Sequence, residues 1–283
     1  MEEIESVFIA ISPSHIKNFE CYLEQVSGRE EFRAVLLNPG NFEFNPQIWH
    51  RVLSGNMNLA YRASSSLSKL IFQLKKLWRY KKYFSEVFRY LEKGKYDFYY
   101  CNLDDVLSNI IFHQLLEREE GNFYVFEDGI LNYYHPKRNI ADLNKKRKLA
   151  GLFGMKFVPI PGHPTNLQSH RVKKQFVRLP EKSIVPEKST DLPYEKIAYE
   201  PQENIVLIIG QDIMHNCSQG EDYYVKRLQS LIGYVEQNIN HDTRIIYKPH
   251  RNGDYSFAER ELSKMSNSFE LFLDNNPNES CIA

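Results

Sequence analysis

Four short polar clusters stand directly after apolar runs in this 283-residue chain, and they hold most of the groups able to do chemistry. They are Ser12-Pro13-Ser14-His15, Glu127-Asp128-Gly129, Gly210-Gln211-Asp212 and Lys248-Pro249-His250. Ligands of open α/β sheets bind beyond the carboxyl ends of the strands, where these clusters would sit. One such cluster would be ordinary; four make an active site the better reading. Glu127 and Asp128 are adjacent carboxylates, one able to face a cleft while the other braces the turn that Gly129 permits. A carboxylate in a half-desolvated cleft gains proton affinity and can act as a general base. Sequence alone leaves open which of the two faces the cleft, and a plain Asp-Gly turn is the competing reading. His250, after the rigid Pro249, can donate to a phosphate or protonate a leaving group near neutral pH. Lys248 adds positive charge for a phosphate, and Gly210-Gln211 lets backbone amides approach a nucleotide. A surface-loop histidine is the alternative for His250. The other histidines show no metal-ligand spacing, and His113, within an apolar helix, reads as core.

The elements that must position these groups alternate along the chain. Ser6–Ser12, Phe32–Leu37, Tyr96–Leu103 and Asn122–Phe126 are buried-strand candidates, each stopped by polar or Pro/Gly residues. Helical spacing covers Ile16–Val26 and a long basic stretch over 62–93, and Asp104 or Asp105 is placed to cap a helix running through Glu117. Strands separated by helices imply right-handed βαβ units and a mostly parallel sheet. From Gly162 to Glu203 prolines and scattered charges break the pattern, which predicts a connection, or an edge hairpin at most. Alternation resumes with strands Asn204–Ile209, Arg244–Tyr247 and Phe269–Leu273, and helices over 222–238 and 255–265. The expectation is an α/β protein of two Rossmann-like domains facing a central cleft. The first spans 1–165, a linker 166–203, and a second domain 204–283, shortened because Asn278–Ala283 reads as the start of a helix.

Composition bounds the class. The chain is 42% hydrophobic and 25% charged, which excludes disorder and collagen-like repeats. Its 36 basic and 36 acidic residues cancel, arguing against nucleic acid as a partner. The cancellation hides a strong asymmetry. Residues 62–95 hold ten Lys/Arg against Glu86 and Glu92, a net of +8. Residues 137–182 hold twelve against Asp142 and Glu181, a net of +10, while 183–283 carry −7. Such placement favours an anionic partner on the N-terminal side. Trp78, Tyr80, Tyr83 and Phe84 among the lysines fit interfacial anchoring, sugar stacking or the core of an amphipathic helix. The four cysteines lack zinc spacing, the acidic start MEEIES is unlike a signal peptide, and no apolar run spans a membrane. The expected location is cytoplasmic, with peripheral contact at the inner membrane left open.

These motifs together carry a resemblance. Phe126-Glu127-Asp128-Gly129 and Tyr247-Lys248-Pro249-His250-Arg251 look like the acidic-acidic-Gly and His-Pro motifs of bacterial sialyltransferases of the lipooligosaccharide and capsule polysialyltransferase type. Asn132-Tyr133-Tyr134, Phe157–His163, Gly210-Gln211 and Pro277-x-Glu279 are similar too, so the likeness extends over most of 95–283. Arg251 stands where the family usually has Pro, and the family's Ser-rich phosphate motif has no counterpart here. The resemblance implies a GT-B fold and inverting, metal-independent transfer of sialic acid from CMP-sialic acid to a glycan hydroxyl, with no cofactor. By the same analogy Glu127, or alternatively Asp128, takes the acceptor proton and His250 stabilises or protonates the CMP phosphate. Gly210, Gln211, Lys248, Pro249 and Glu279 hold the nucleotide. The implied partners are this donor and an anionic glycan or glycolipid acceptor of a bacterial surface polysaccharide or lipooligosaccharide. Two other classes stay in view: a CDP-polyol phosphotransferase of wall-polymer synthesis, and a truncated, non-catalytic glycan-binding protein.

Overall fold

The computed structural model describes residues 4–26, 33–57, 66–92, 94–117, 121–192, 205–209, 221–238, 243–248 and 269–271. The chain divides into two compact units, Met1–Lys196 and Ile197–Ala283.

In the first unit β1 (Ile4–Ile9) leads into α1 (Pro13–Val26), β2 (Ala34–Asn38), β3 (Arg51–Ser54) and α2 (Ser66–Leu91). There follow β4 (Lys95–Tyr100), α3 (Val106–Glu117), β5 (Phe123–Phe126), α4 (Ile140–Leu152), β6 (Val172–Val177) and β7 (Ser189–Asp191). The sheet runs β3-β2-β1-β4-β5-β6-β7, and every pairing is parallel. A parallel sheet is covered on both faces, so its strands read as continuous apolar runs; β2 is buried at all five positions. Alternate residues then serve two cores. Val7 and Ile9 of β1, with Phe98 and Tyr100 of β4, pack under α2, α3 and α4 through Leu77, Phe84, Leu107, Ile111 and Leu143. Phe8, Tyr99 and Phe126 point the other way, onto Ile16, Phe19 and Leu23 of α1. Phe8, Tyr99 and Tyr124 stack in sequence across β1, β4 and β5 at 4.2 and 4.6 Å between centroids, the cross-strand pairing that fixes register.

Asp105, not Asp104, caps α3: its Oδ1 accepts from the backbone N–H of Leu107 and Ser108 at 2.9 and 3.0 Å. Asp104 instead pairs with Arg138, which also reaches the carbonyls of Ile160 and Gly162. The basic aromatic stretch also resolves: Tyr80, Tyr83 and Phe84 are core, and Trp78 alone of the four is exposed.

The expected linker over 166–203 needs correction in its first part, because β6 and β7 complete the first sheet. Lys173 and Lys174 are exposed on β6 and Ser189–Asp191 is an edge strand, so neither has the apolar run that marks a buried strand.

In the second unit β8 (Ile205–Ile209), α5 (Glu221–Asn238), β9 (Arg244–Lys248) and β10 (Phe269–Leu271) form a parallel sheet ordered β10-β9-β8. The helix expected near 255–265 lies outside the described residues. Among the described residues no helix is long and apolar enough to cross a membrane.

Candidate active site

Strand order locates the site before any side chain does. From β1 the chain moves outward to β2 and β3, then returns through α2 to β4 on the other side of β1. The reversal lies between β1 and β4, and a ligand crevice in such sheets opens at the carboxyl ends on either side of the switch. His15 follows β1, Asn102 follows β4, and Glu127 and Asp128 follow β5.

Two of these groups, His15 and Asn102, converge on the Asp128 carboxylate. His15 Nε2 lies 3.4 Å from Asp128 Oδ1. The Ile11 N–H points at His15 Nδ1 at 3.5 Å, so Nδ1 accepts and Nε2 carries the proton it donates to Asp128. Asn102 Oδ1 accepts the Asp105 N–H at 3.2 Å, which turns its amide nitrogen to donate to Asp128 Oδ2. Burial pushes the Asp128 carboxyl up, but the hydrogen bond from His15, the charge His15 bears when protonated, and the Asn102 amide outweigh it. Asp128 therefore titrates below the ordinary carboxylate range and is an anion at neutral pH. Its side chain keeps 32% of its surface exposed.

Glu127 has a different setting. Its side chain is 5% exposed. Oε1 accepts from Arg178 Nη1 at 2.5 Å, and Oε2 accepts the Arg178 N–H at 2.7 Å and the Tyr133 hydroxyl. Arg178 also donates to Asn18 Oδ1 at 3.1 Å, tying β5, β6 and α1 together. The acidic pair thus divides its work, with Glu127 holding the scaffold and Asp128 presented at its edge. Gly129, directly after the pair, stands at φ +55°, the left-handed region that favours glycine.

The turn after Asp128 is held from below. Asp128 N–H donates to Asn132 Oδ1 at 2.9 Å, Asn132 Nδ2 donates to Gln175 Oε1 at 3.1 Å, and Gln175 Nε2 donates to Ser183 and Ser189 at 3.0 and 2.7 Å. Buried His163 pins the same turn: Nε2 donates to the carbonyls of Leu131 and Tyr134 at 3.1 and 3.2 Å, while Nδ1 accepts the Thr165 N–H at 3.3 Å. Burial holds its pKa below the ordinary histidine value, with the two carbonyls opposing only in part. A folded pKa below the unfolded one means stability is complete above about 6.5 and is lost as pH falls through the folded value. Chemical denaturation between neutral pH and pH 5 is expected to show this decline. His163→Gln should remove part of the slope, the remainder belonging to His113, whose pKa burial also lowers. A slope unchanged in that variant would contradict the assignment.

Of the residues singled out in the second unit, Lys248 ends β9. Gly210, Gln211, Pro249, His250 and Glu279 lie outside the described residues. Among the described residues no three His, Cys, Asp or Glu side chains are grouped to hold a metal ion. Asn102 and Arg178 were not anticipated: Asn102 carries only its place after a strand, and Arg178 sits in the segment expected to be a linker.

No family model matches the chain, and no curated protein matches it. Among solved structures it is similar to the α/β-galactoside α-2,3-sialyltransferase of the luminous marine bacterium Photobacterium phosphoreum, at 7% identity and a TM-score of 0.50 over 99% of this chain and 82% of that one. It is also similar to sucrose-phosphate synthase of Thermosynechococcus elongatus (10% identity, TM-score 0.47, 97% and 71% covered). A third likeness is to the glycosyltransferase of kitacinnamycin (9%, 0.47, 96% and 70%). At these identities the likeness to the sialyltransferase shows the fold alone, which is α/β of the GT-B type.

Proposed function

We propose that this protein is an inverting glycosyltransferase that moves sialic acid from CMP-sialic acid to a hydroxyl of a bacterial surface glycan. The observation that carries the reading is Asp128: an ionised, partly open carboxylate at the switch point of a GT-B-type sheet, held on one oxygen by the His15 imidazole and on the other by the Asn102 amide.

The chemistry asks little more of the protein. The acceptor hydroxyl gives its proton to Asp128 as its oxygen bonds to the anomeric carbon, and the bond from that carbon to the CMP phosphate oxygen breaks. Attack from the face opposite the leaving group inverts the centre. The nucleotide already activates the donor, so one base and one phosphate partner suffice. His250 takes the second role, stabilising or protonating the departing phosphate, in line with the resemblance of the Lys248-Pro249-His250 motif. Gly210, Gln211, Lys248, Pro249 and Glu279 hold the nucleotide on the same ground. Glu127, the other half of the acidic pair, is the brace through Arg178 and Tyr133.

The direct test offers the purified chain CMP-sialic acid with sialylated or galactose-terminated glycans and, separately, CDP-glycerol with a polyol-phosphate acceptor. Transfer with CMP release supports the proposal. Turnover of CDP-glycerol alone would make the protein a phosphotransferase. Glycan binding with neither CMP hydrolysis nor transfer would make it a binding protein.

A further inference from the structure

The structure assigns a second surface to this chain, apart from the site. We propose that the outer face of α2 docks on an anionic lipid bilayer, with Trp78 entering the interface and a row of cations meeting the headgroups.

The helix contains seven Lys or Arg and a single acid, Glu86. Its inner face is spent on the core through Leu77, Tyr80, Phe84, Val87 and Leu91. At 3.6 residues per turn, Ile71, Lys75, Trp78, Lys82 and Arg89 fall on one outward stripe, with Arg79 beside it. All six are exposed. None of these four cations pairs with an acid among the described residues. Two of the exposed side chains are large and apolar: Trp78 at 62% and Ile71 at 46%, seven residues apart and therefore nearly in line. α4 packs beside α2; burial lowers the pKa of Lys76, against the pull of Asp105, and Lys146 of α4 adds to the lowering. α4 adds exposed Lys145, Lys148 and Leu152.

A bilayer suits this combination better than a soluble polyanion does. Cations alone would serve any polyanion. An indole and a branched aliphatic chain set among long cationic stems are what an interface uses, since the stems lie along apolar surface while their heads stay in water. Charge complementarity supplies the rest. The cytoplasmic leaflet is negative, and each lysine or arginine brought near it strengthens binding by about fivefold, an effect confined to roughly one Debye length. A neutral chain that carries one of its two strongly positive stretches here would bind by this face.

The test uses full-length protein and two sets of vesicles, phosphatidylglycerol with phosphatidylcholine and phosphatidylcholine alone. Trp49 is buried and Trp78 exposed, so a blue shift of tryptophan emission on binding reports Trp78. Co-sedimentation with the anionic vesicles only, weakened by salt and accompanied by that shift, is the expected result. Lys75→Gln, Arg79→Gln and Lys82→Gln together should weaken binding by about a hundredfold while the far-UV spectrum stays that of the parent. Trp78→Ser should abolish the shift. Three results would overturn the proposal: no binding to anionic vesicles, equal binding by the triple variant, or binding without a shift of Trp78. If soluble polysialic acid shifts Trp78 and the vesicles do not, the surface belongs to the glycan.

Discussion

Asp128→Asn is expected to lower the rate of transfer by about 10²–10⁴-fold, the range for loss of a positioned general base, while CMP binding and secondary structure stay unchanged. The variant keeps the size of the side chain and removes the charge. One of its two heteroatoms becomes a donor facing the donors of His15 or Asn102, so some loss of order in the turn accompanies the loss of the base. The decisive comparison is with Glu127→Gln. Glu127 is 5% exposed and fully engaged, so its amide version should leave the rate within a fewfold of the parent and act mainly on stability. If Glu127→Gln were dead and Asp128→Asn active, the roles assigned here would be exchanged. Because Asp128 titrates below the ordinary carboxylate range, the rate should not fall on its account as the pH is lowered from neutrality through the range where ordinary carboxylates titrate. A loss of rate nearer neutrality would have to come from another group.

The second large effect concerns the brace. Arg178→Met should destabilise the first unit by about 2–3 kcal/mol in urea denaturation. The variant strands the Glu127 carboxylate in a buried place with only the backbone N–H of residue 178 and the Tyr133 hydroxyl left to it. The expected cost stays below that of a fully buried pair because the arginine side chain is itself 38% exposed and its charge partly screened. Combining Arg178→Met with Glu127→Gln should recover most of the loss, since no charge then remains unpaired. Equal stability of the single and double variants would show that the arginine acts through packing instead.

Much of this arrangement was legible in the sequence wherever the signal was local. Continuous apolar runs gave away β1, β2, β4, β5, β8 and β9, because strands covered on both faces have little choice of residue. β3 was missed: four residues with only Leu53 buried leave no pattern. α4 was missed for a similar reason, since only Leu143 and Ala150 of its thirteen residues are buried and its cap, Asn139, is a single polar side chain. The acidic pair stood out in the sequence, but its division of labour did not. That division is decided by Arg178, 51 positions from Glu127, and by His15, 113 positions from Asp128. Contacts at such separations are set by strand order, which the alternation of elements leaves undetermined.

The strand order has a consequence for how the base can fail. β1 and β4 are neighbours in the sheet, with Ile4 opposite Lys95 and Phe8 opposite Tyr99, yet residues 10–94 of the chain lie between them. They form the seam between an early half-sheet, β1 to β3, and a late one, β4 to β7. His15 is anchored on the early side of that seam and Asn102 on the late side, and each grips a different oxygen of Asp128. The carboxylate is in effect a latch across the seam. Slippage or opening between the two halves would separate its two keepers well before the sheet itself came apart, so amide exchange along β1 and the competence of the base should rise and fall as one quantity.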